Sequence, residues 1–205
     1  MQIILASDSP RRKHLLKFLV EDFQAVSHKV YEANFKIKDP EELVGQLAIA
    51  KAQSIDPPVG GWVIGSDLTV VLKDKIMGKP RDKEEAGQFL KLLSGKIHTV
   101  YCAIAVASKD KVLMSVARAQ VLMKKYDNKI IEKYINKFHV LDKGGAYAIQ
   151  FKLPDFGSLV KSFEGGITTI IGLPLHHLEN LLKEFGVAVN PDWPQRCKIE
   201  TGYEY

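Results

Sequence analysis

One stretch near the start of the chain, residues 7–12, gathers groups that proteins use to bind phosphate. It offers the hydroxyls of Ser7 and Ser9 and the guanidinium groups of Arg11 and Arg12, at the predicted start of a helix. Free backbone N–H groups and the helix dipole favour an anion there, and arginine can bind phosphate oxygens through two hydrogen bonds. The stretch therefore predicts an anion site, although an N-capped helix with solvated arginines would have the same sequence.

An acidic residue, Asp67, interrupts the otherwise apolar strand predicted over residues 62–72. A carboxylate in a buried strand needs a partner, a metal ion or a place at the exposed end of the strand. Asp67 could act as a magnesium ligand or as the base that activates a water molecule. A structural aspartate that is bonded to a turn is the alternative.

Two lysines and a glutamine are further candidates. Lys51 lies four residues after Leu47, on or beside the buried face of its helix, where an unpaired lysine is unusual. Lys79 lies between a glycine and a proline before a capped helix, and Gln150 ends a stretch of small residues, 142–150. The lysines could bind phosphate and the glutamine could bond to a base edge. An ordinary exposed lysine is the alternative for Lys79, and a tight loop with a polar end is the alternative for residues 142–150.

The elements that must position these residues predict an α/β domain with a mixed sheet. Apolar runs predict strands at residues 2–6, 62–72, 97–107 and 112–123. Apolar residues at helical spacing, mostly behind Ser or Asp caps, predict helices that start near residues 10, 40, 83, 127 and 174. The polar segment 190–205, which contains two prolines, is predicted to be a loosely held tail.

Composition and charge narrow the function. The 205 residues are 46% hydrophobic. The chain has 29 Lys and Arg residues and 24 Asp and Glu residues, and this basic surplus suggests an anionic partner. We expect no membrane span and no cleavable signal, and the two cysteines form no metal-binding pair. Aromatic residues are not interleaved with basic ones, and no nucleic-acid-binding motif is present. These observations favour a cytoplasmic protein whose partner is neither nucleic acid nor membrane.

Seven sequence segments, taken in order, resemble the Maf family of nucleotide pyrophosphatases, the homologues of a septum-formation inhibitor. The likeness covers residues 2–187. The segments are residues 5–12 with Leu15-Leu16, Leu47-Ala48 with Lys51-Ala52, residues 65–71, residues 78–82, Leu93-Ser94-Gly95 with His98, residues 142–150 and residues 172–175.

The resemblance implies a fold and an activity. The fold would be the elongated, two-lobed α/β architecture of inosine triphosphate pyrophosphatases, with a mixed sheet and a central cleft, over residues 1–188, followed by a polar tail at 189–205. The activity would be hydrolysis of a nucleoside triphosphate to the monophosphate and pyrophosphate with a divalent metal, Mg²⁺ or Mn²⁺. A homodimer and a housecleaning role, the removal of non-standard or excess nucleotides, are also implied.

The resemblance assigns roles to individual residues. Asp67 would be the general base and a metal ligand, and Glu32 the second metal-site carboxylate. Base preference would depend on Arg12, Leu68 and Gln150. The dTTP and UTP subgroup has Arg, Thr and Gln at those positions, so Leu68 is a departure that concerns base choice more than the reaction. Phosphate would be bound by six residues: Ser7, Ser9, Arg11, Arg12, Lys51 and Lys79.

Two alternatives stay open on the sequence. The first is a nucleotide-binding regulator of cell division or septum formation, whose catalysis is weak or incidental. The second is a basic nucleic-acid-binding module, which would show affinity for DNA or RNA that falls steeply with salt.

Overall fold

A computed structural model describes residues 2–201 of the chain. The strands are β1 (Ile3–Ala6), β2 (Gln24–Val26), β3 (Trp62–Leu72), β4 (Lys75–Met77), β5 (Ile97–Ala107), β6 (Val112–Met123), β7 (Lys152–Leu153), β8 (Gly157–Ser158) and β9 (Val160–Glu164). The helices are α1 (Pro10–Leu19), α2 (Pro40–Gln53), α3 (Lys83–Leu93), α4 (Asn128–Lys137), α5 (Ile167–Ile171), α6 (Leu175–Glu184) and α7 (Trp193–Thr201). Two short 3-10 turns cover Glu32–Asn34 and Gly144–Ala146.

The main sheet is mixed, as the sequence predicts. Its strand order is β2-β1-β3-β5-β6-β9, and β4 pairs with β3 off this path. Strand β1 runs parallel to both of its neighbours, with Leu5 opposite Ala25 of β2 and Ile64 of β3. Strands β4 and β9 run antiparallel to β3 and β6, and β7 with β8 forms a separate antiparallel pair.

The chain divides into two compact units. Unit 1 consists of the residues up to Leu68, Tyr101–Ala117 and the residues from Gly166 onward, and it contains β1, β2, α1, α2 and α5 to α7. Unit 2 consists of Thr69–Val100 and Arg118–Gly165, and it contains β4, α3, α4 and β7 to β9. Strands β3, β5 and β6 supply residues to both units.

The helices of unit 1 begin where local sequence favours a start. Ser9 and Asp39 are the N-caps of α1 and α2, and a proline follows each cap in the first turn. The buried side of α1 and α2 consists mainly of Leu15, Leu16, Phe18 and Leu19 on α1 and of Val44, Leu47, Ala48 and Ala52 on α2.

Within residues 2–201 none of the helices combines the length and the apolarity that crossing a membrane requires.

The segment that follows residue 189 is not the loosely held tail that the sequence predicts. Helix α7 packs against α1, and its Trp193 and Cys197 are only 1% and 0% exposed. The Trp193 indole N–H donates to Glu179 Oε2 of α6 at 3.0 Å. The prediction was wrong because two apolar side chains can anchor a short helix whose average composition is polar. Residues 202–205 of the predicted tail lie outside the described residues.

Unit 2 buries a histidine, His98 of β5, which is 2% exposed. Its Nε2 lies 2.7 Å from the Tyr147 hydroxyl, and burial lowers the pKa of His98 to about 4. Within the described part of the chain, His98 Nδ1 is buried without a hydrogen-bond partner. The ring is therefore neutral in the folded protein near pH 7.

We expect His98 to make stability depend on pH. An unfolded histidine has a pKa of about 6.5, so between that value and the folded value the unfolded chain binds a proton that the folded chain does not. The unfolding free energy should therefore fall by about 2 kcal/mol from pH 7 to pH 5 through this residue. Urea denaturation of wild type and His98→Gln at both pH values measures it, and an equal fall in both proteins would contradict the assignment.

Candidate active site

The centre of the candidate site is one buried lysine between two carboxylates. Lys51 Nζ of α2 lies 2.5 Å from Asp67 Oδ1 of β3 and 2.7 Å from Glu32 Oε1. The Lys51 and Asp67 side chains are 2% and 11% exposed, whereas Glu32 is 38% exposed. Because one ammonium faces both carboxylates, it offsets the repulsion that would otherwise separate them.

A glycine allows α2 to approach β3 closely enough for this contact. A Cβ atom on Gly65 would lie 2.2 Å from Ala48 O and 2.5 Å from Ala52 N, which is closer than side-chain atoms can lie. Lys51 follows Ala48 by three residues on the same helix face, and Asp67 follows Gly65 by two residues on the same face of the strand. The short distance between the Lys51 ammonium and the Asp67 carboxylate therefore depends on residue 65 being glycine, which has no side chain.

The chain between β1 and α1 places hydroxyl and guanidinium groups together. Ser7 Oγ accepts from the Ser9 backbone N–H at 3.2 Å and from Arg12 Nη1 at 3.5 Å. Ser9 caps α1 by accepting from the Arg12 backbone N–H at 3.5 Å, and Arg11 is partly exposed in the same first turn. The dipole of α1 and these groups favour an anion at this end of the helix.

A carbonyl from a distant part of the chain holds Arg12. Gly172 O accepts from Arg12 Nε at 2.9 Å and from Ser66 Oγ at 3.0 Å. Ser66 precedes Asp67, so this carbonyl connects the guanidinium to the strand that carries the acidic group. A Cβ atom on Gly172 would lie 3.7 Å from both Leu68 Cδ1 and Arg12 Nε, so the Leu68 side chain lies near Arg12.

Ser66 and Gly172 lie in sequence motifs that predict no role in the site for either residue. A backbone carbonyl leaves no signal in the residue type, so the part played by Gly172 could be found only in the fold. A serine beside a buried aspartate was the one available signal for Ser66.

The buried thiol of Cys102 in β5 lies beside Ser66, with Sγ 3.8 Å from the Ser66 hydroxyl oxygen. Burial raises the pKa of Cys102 to about 12. Arg12 and the Lys51–Asp67 pair lie in one region of unit 1, because Gly172 O binds both Arg12 and Ser66, the neighbour of Asp67. This region is just beyond the carboxyl end of β1 and beside the middle of β3. Strand order reverses between these two parallel strands, and ligands of open α/β sheets bind at such a point.

Lys79 and Gln150 belong to unit 2, whereas the other eight predicted site residues belong to unit 1. Both side chains are exposed. The loops that carry them are joined, because the Gly145 backbone N–H donates to Gly78 O at 3.1 Å. The contribution of Lys79 and Gln150 to a nucleotide site stays a prediction.

Two carboxylates beside Lys51 could serve as ligands of a divalent metal ion. Among residues 2–201 no three His, Cys, Asp or Glu are grouped so that they could hold a metal ion by themselves. Asp67 and Glu32 offer two carboxylates, and Mg²⁺ commonly uses one or two carboxylates together with waters and substrate phosphates.

The family of this chain is identified by its similarity to known proteins. The family model described as "Maf-like protein" matches residues 2–185. The chain belongs to the Maf family. The family resemblance that the sequence motifs carried is thereby confirmed.

Similar proteins cover almost the whole of this Maf chain. Proteins named "dTTP/UTP pyrophosphatase" from Dictyoglomus thermophilum and Acetivibrio thermocellus are each 41% identical, over 192 and 199 residues. Each match covers 92% of this chain and 98% of the relative.

The solved structure of a HAM1 protein from Coxiella burnetii has a TM-score of 0.52 at 15% identity. The match covers 90% of this chain and 99% of that one. This likeness shows the fold, and the predicted mixed-sheet α/β class is confirmed.

We expect Lys51→Met to lower the unfolding free energy by about 3 kcal/mol, because it leaves the buried Asp67 carboxylate beside Glu32 without the ammonium. The double variant Lys51→Met/Asp67→Asn removes that uncompensated charge, so its loss should be smaller than the sum of the two single losses. Urea denaturation of wild type, Lys51→Met, Asp67→Asn and the double variant measures the coupling free energy between the two residues. Lys17→Met, at an exposed lysine of α1, is the control and should change stability by less than about 0.5 kcal/mol. Additive losses would show that Lys51 and Asp67 do not stabilise each other.

Proposed function

We propose that this chain is a nucleoside triphosphate pyrophosphatase, which hydrolyses a ribo- or deoxyribonucleoside triphosphate to the monophosphate and pyrophosphate. The observation that carries the proposal is the buried Lys51 ammonium, 2.5 Å from Asp67 and 2.7 Å from Glu32, in the same region as the start of α1. The relatives named dTTP/UTP pyrophosphatase, which match over nearly their whole length, support it.

The charge of the substrate explains why the reaction needs cations. A triphosphate carries about four negative charges, and the leaving pyrophosphate gains charge as the bond to the α-phosphate breaks. Arg12 is held in place by Gly172 O, and its Nη1 lies near the Ser7 hydroxyl, so its guanidinium group is preorganised. We assign phosphate binding to Arg12 with Ser7, Ser9 and Arg11, and to the two lysines Lys51 and Lys79.

Asp67 is proposed to accept the proton of the attacking water. Its carboxylate is largely shielded from solvent, and the bond from Lys51 fixes its orientation. An oriented, ionised carboxylate within reach of the water is what general-base catalysis requires.

Asp67 and Glu32 are also the residues that would hold a divalent ion, Mg²⁺ or Mn²⁺. Such an ion neutralises phosphate charge and lowers the pKa of a water bound to it. Lys51 faces both carboxylates, so it can keep them close together before the substrate binds.

We further propose dTTP and UTP as substrates. The names of the relatives support this choice, as does the presence of Arg12 and Gln150 at two of the three positions that the family resemblance connects with base preference. The third position, Leu68, has no hydroxyl and can offer a base only apolar contact. A homodimer and two lobes around a cleft stay predictions of the resemblance, and a cytoplasmic location stays a prediction from the composition.

We expect the wild-type protein with Mg²⁺ or Mn²⁺ to release pyrophosphate from dTTP or UTP. Asp67→Asn should lower turnover at least about a hundredfold, because an amide cannot accept the proton. The variant should still bind the nucleotide, which titration calorimetry measures. Asp110→Asn, at an exposed aspartate in the turn between β5 and β6, is the matched control and should keep full activity. A wild-type protein that binds nucleotides but releases no pyrophosphate from any of them would contradict the proposal and favour the regulatory alternative.

A further inference from the structure

A loop of unit 2, residues 143–150, has a strained backbone. Gly145 and Ala146 both adopt left-handed conformations, with φ of 67° and 61°. Glycine adopts this conformation freely, but Ala146 does not, and Ala146 is fully buried. A strained residue of this kind persists only where its surroundings fix it, and such residues are frequent at functional sites.

Two buried aromatic side chains fix the loop. The Tyr147 hydroxyl lies 2.7 Å from His98 Nε2, and the two rings meet edge to face, with centroids 5.3 Å apart. The Tyr134 hydroxyl accepts from the Ala148 backbone N–H at 3.1 Å and lies 3.3 Å from Ala148 O, to which it donates. Tyr147 therefore belongs to the loop, and Tyr134 contacts the loop from α4.

The loop reaches both of the predicted nucleotide contacts in unit 2. Gln150 is its last residue, three positions after Tyr147. The Gly145 backbone N–H donates to Gly78 O, the carbonyl that precedes Lys79. A Cβ atom on Gly145 would lie 3.2 Å from both methyl carbons of Val70, so the loop also packs tightly against β3. A shift of the loop would therefore move the backbone next to Lys79 and Gln150.

The choice of a histidine at residue 98 is unusual on packing grounds. Its Nδ1 is buried without a partner within the described part of the chain, and an unpaired buried polar atom opposes folding. A phenylalanine would fill similar space without that penalty. The one interaction that the histidine provides and a phenylalanine cannot is the hydrogen bond to Tyr147.

We propose that His98 and Tyr147 are positioning residues for recognition of the nucleobase. Their hydrogen bond holds the loop 143–150 in its strained conformation and thereby orients Gln150 toward the base and keeps Lys79 in place. This inference rests on the proposed function, because it requires that a nucleotide contacts Gln150.

Tyr147→Phe tests the proposal, because it removes the hydroxyl and keeps the ring. The measurement is kcat and KM for dTTP, UTP and dATP. We expect KM for the preferred pyrimidine to rise, and the kcat/KM ratio of that pyrimidine over dATP to fall about tenfold. Tyr126→Phe is the matched control, since its hydroxyl is also in unit 2 but donates to Leu90 O, outside the loop. The control should keep the wild-type ratio.

Gln150→Ala distinguishes positioning from general loss of structure. If His98 and Tyr147 act through Gln150, Tyr147→Phe should lower the base-selectivity ratio no further when residue 150 is already alanine. A lower melting temperature with an unchanged ratio in Tyr147→Phe would overturn the proposal, and so would a further loss in the Gln150→Ala background.

Variants of His98 provide a second route to the same test. His98→Gln keeps an amide that can bond to the Tyr147 hydroxyl and should retain most of the selectivity, whereas His98→Phe should lose it. Equal selectivity in these two variants would overturn the proposal even if Tyr147→Phe failed to fold. A wild-type protein that hydrolyses nucleotides without base preference would refute only the positioning proposal. One that hydrolyses none would refute the proposed function, and this inference with it.

Discussion

The candidate site depends on the close approach of α2 to β3 at Gly65. Any side chain at this residue would overlap the backbone of α2, whose Ala48 O and Ala52 N lie within 2.5 Å of the position of its Cβ. The approach buries Lys51 in direct contact with Asp67 and near Glu32, so that one ammonium organises two carboxylates. Lys51 and Asp67 are buried and cannot turn toward water, so the orientation of these two charges is fixed before any substrate binds.

A second set of contacts in unit 1 places an arginine, which can bind an anion, near this cluster. Gly172 O holds both Arg12 and Ser66, and Ser66 is covalently next to Asp67. The basic surplus of the whole chain is no guide to this site, because the surplus lies in unit 2, whereas unit 1 has slightly more acidic than basic residues. What distinguishes the site is the burial and pairing of a few charges.

Much of the fold, and part of the candidate site, could be predicted from residue types and spacing. The bounds of β3, β5 and β6 agree with the apolar runs. Lys51 is a candidate from the sequence because a lysine on a buried helix face needs a partner. The helix at Trp193 could not be predicted from average polarity, since two buried side chains, Trp193 and Cys197, anchor it. The carbonyl of Gly172 and the partner of His98 depend on contacts between distant segments, which no local pattern contains.

The most direct test of the central claim is a crystal structure of the protein with Mg²⁺ and an α,β-methylene nucleoside triphosphate, which cannot be cleaved between those two phosphates. The predicted result is an α-phosphate beside Asp67 and Glu32, with phosphate oxygens bound by Arg12 and by the first turn of α1. A triphosphate bound without contact to the Lys51, Asp67 and Glu32 cluster would contradict the assignment of this cluster as the catalytic centre.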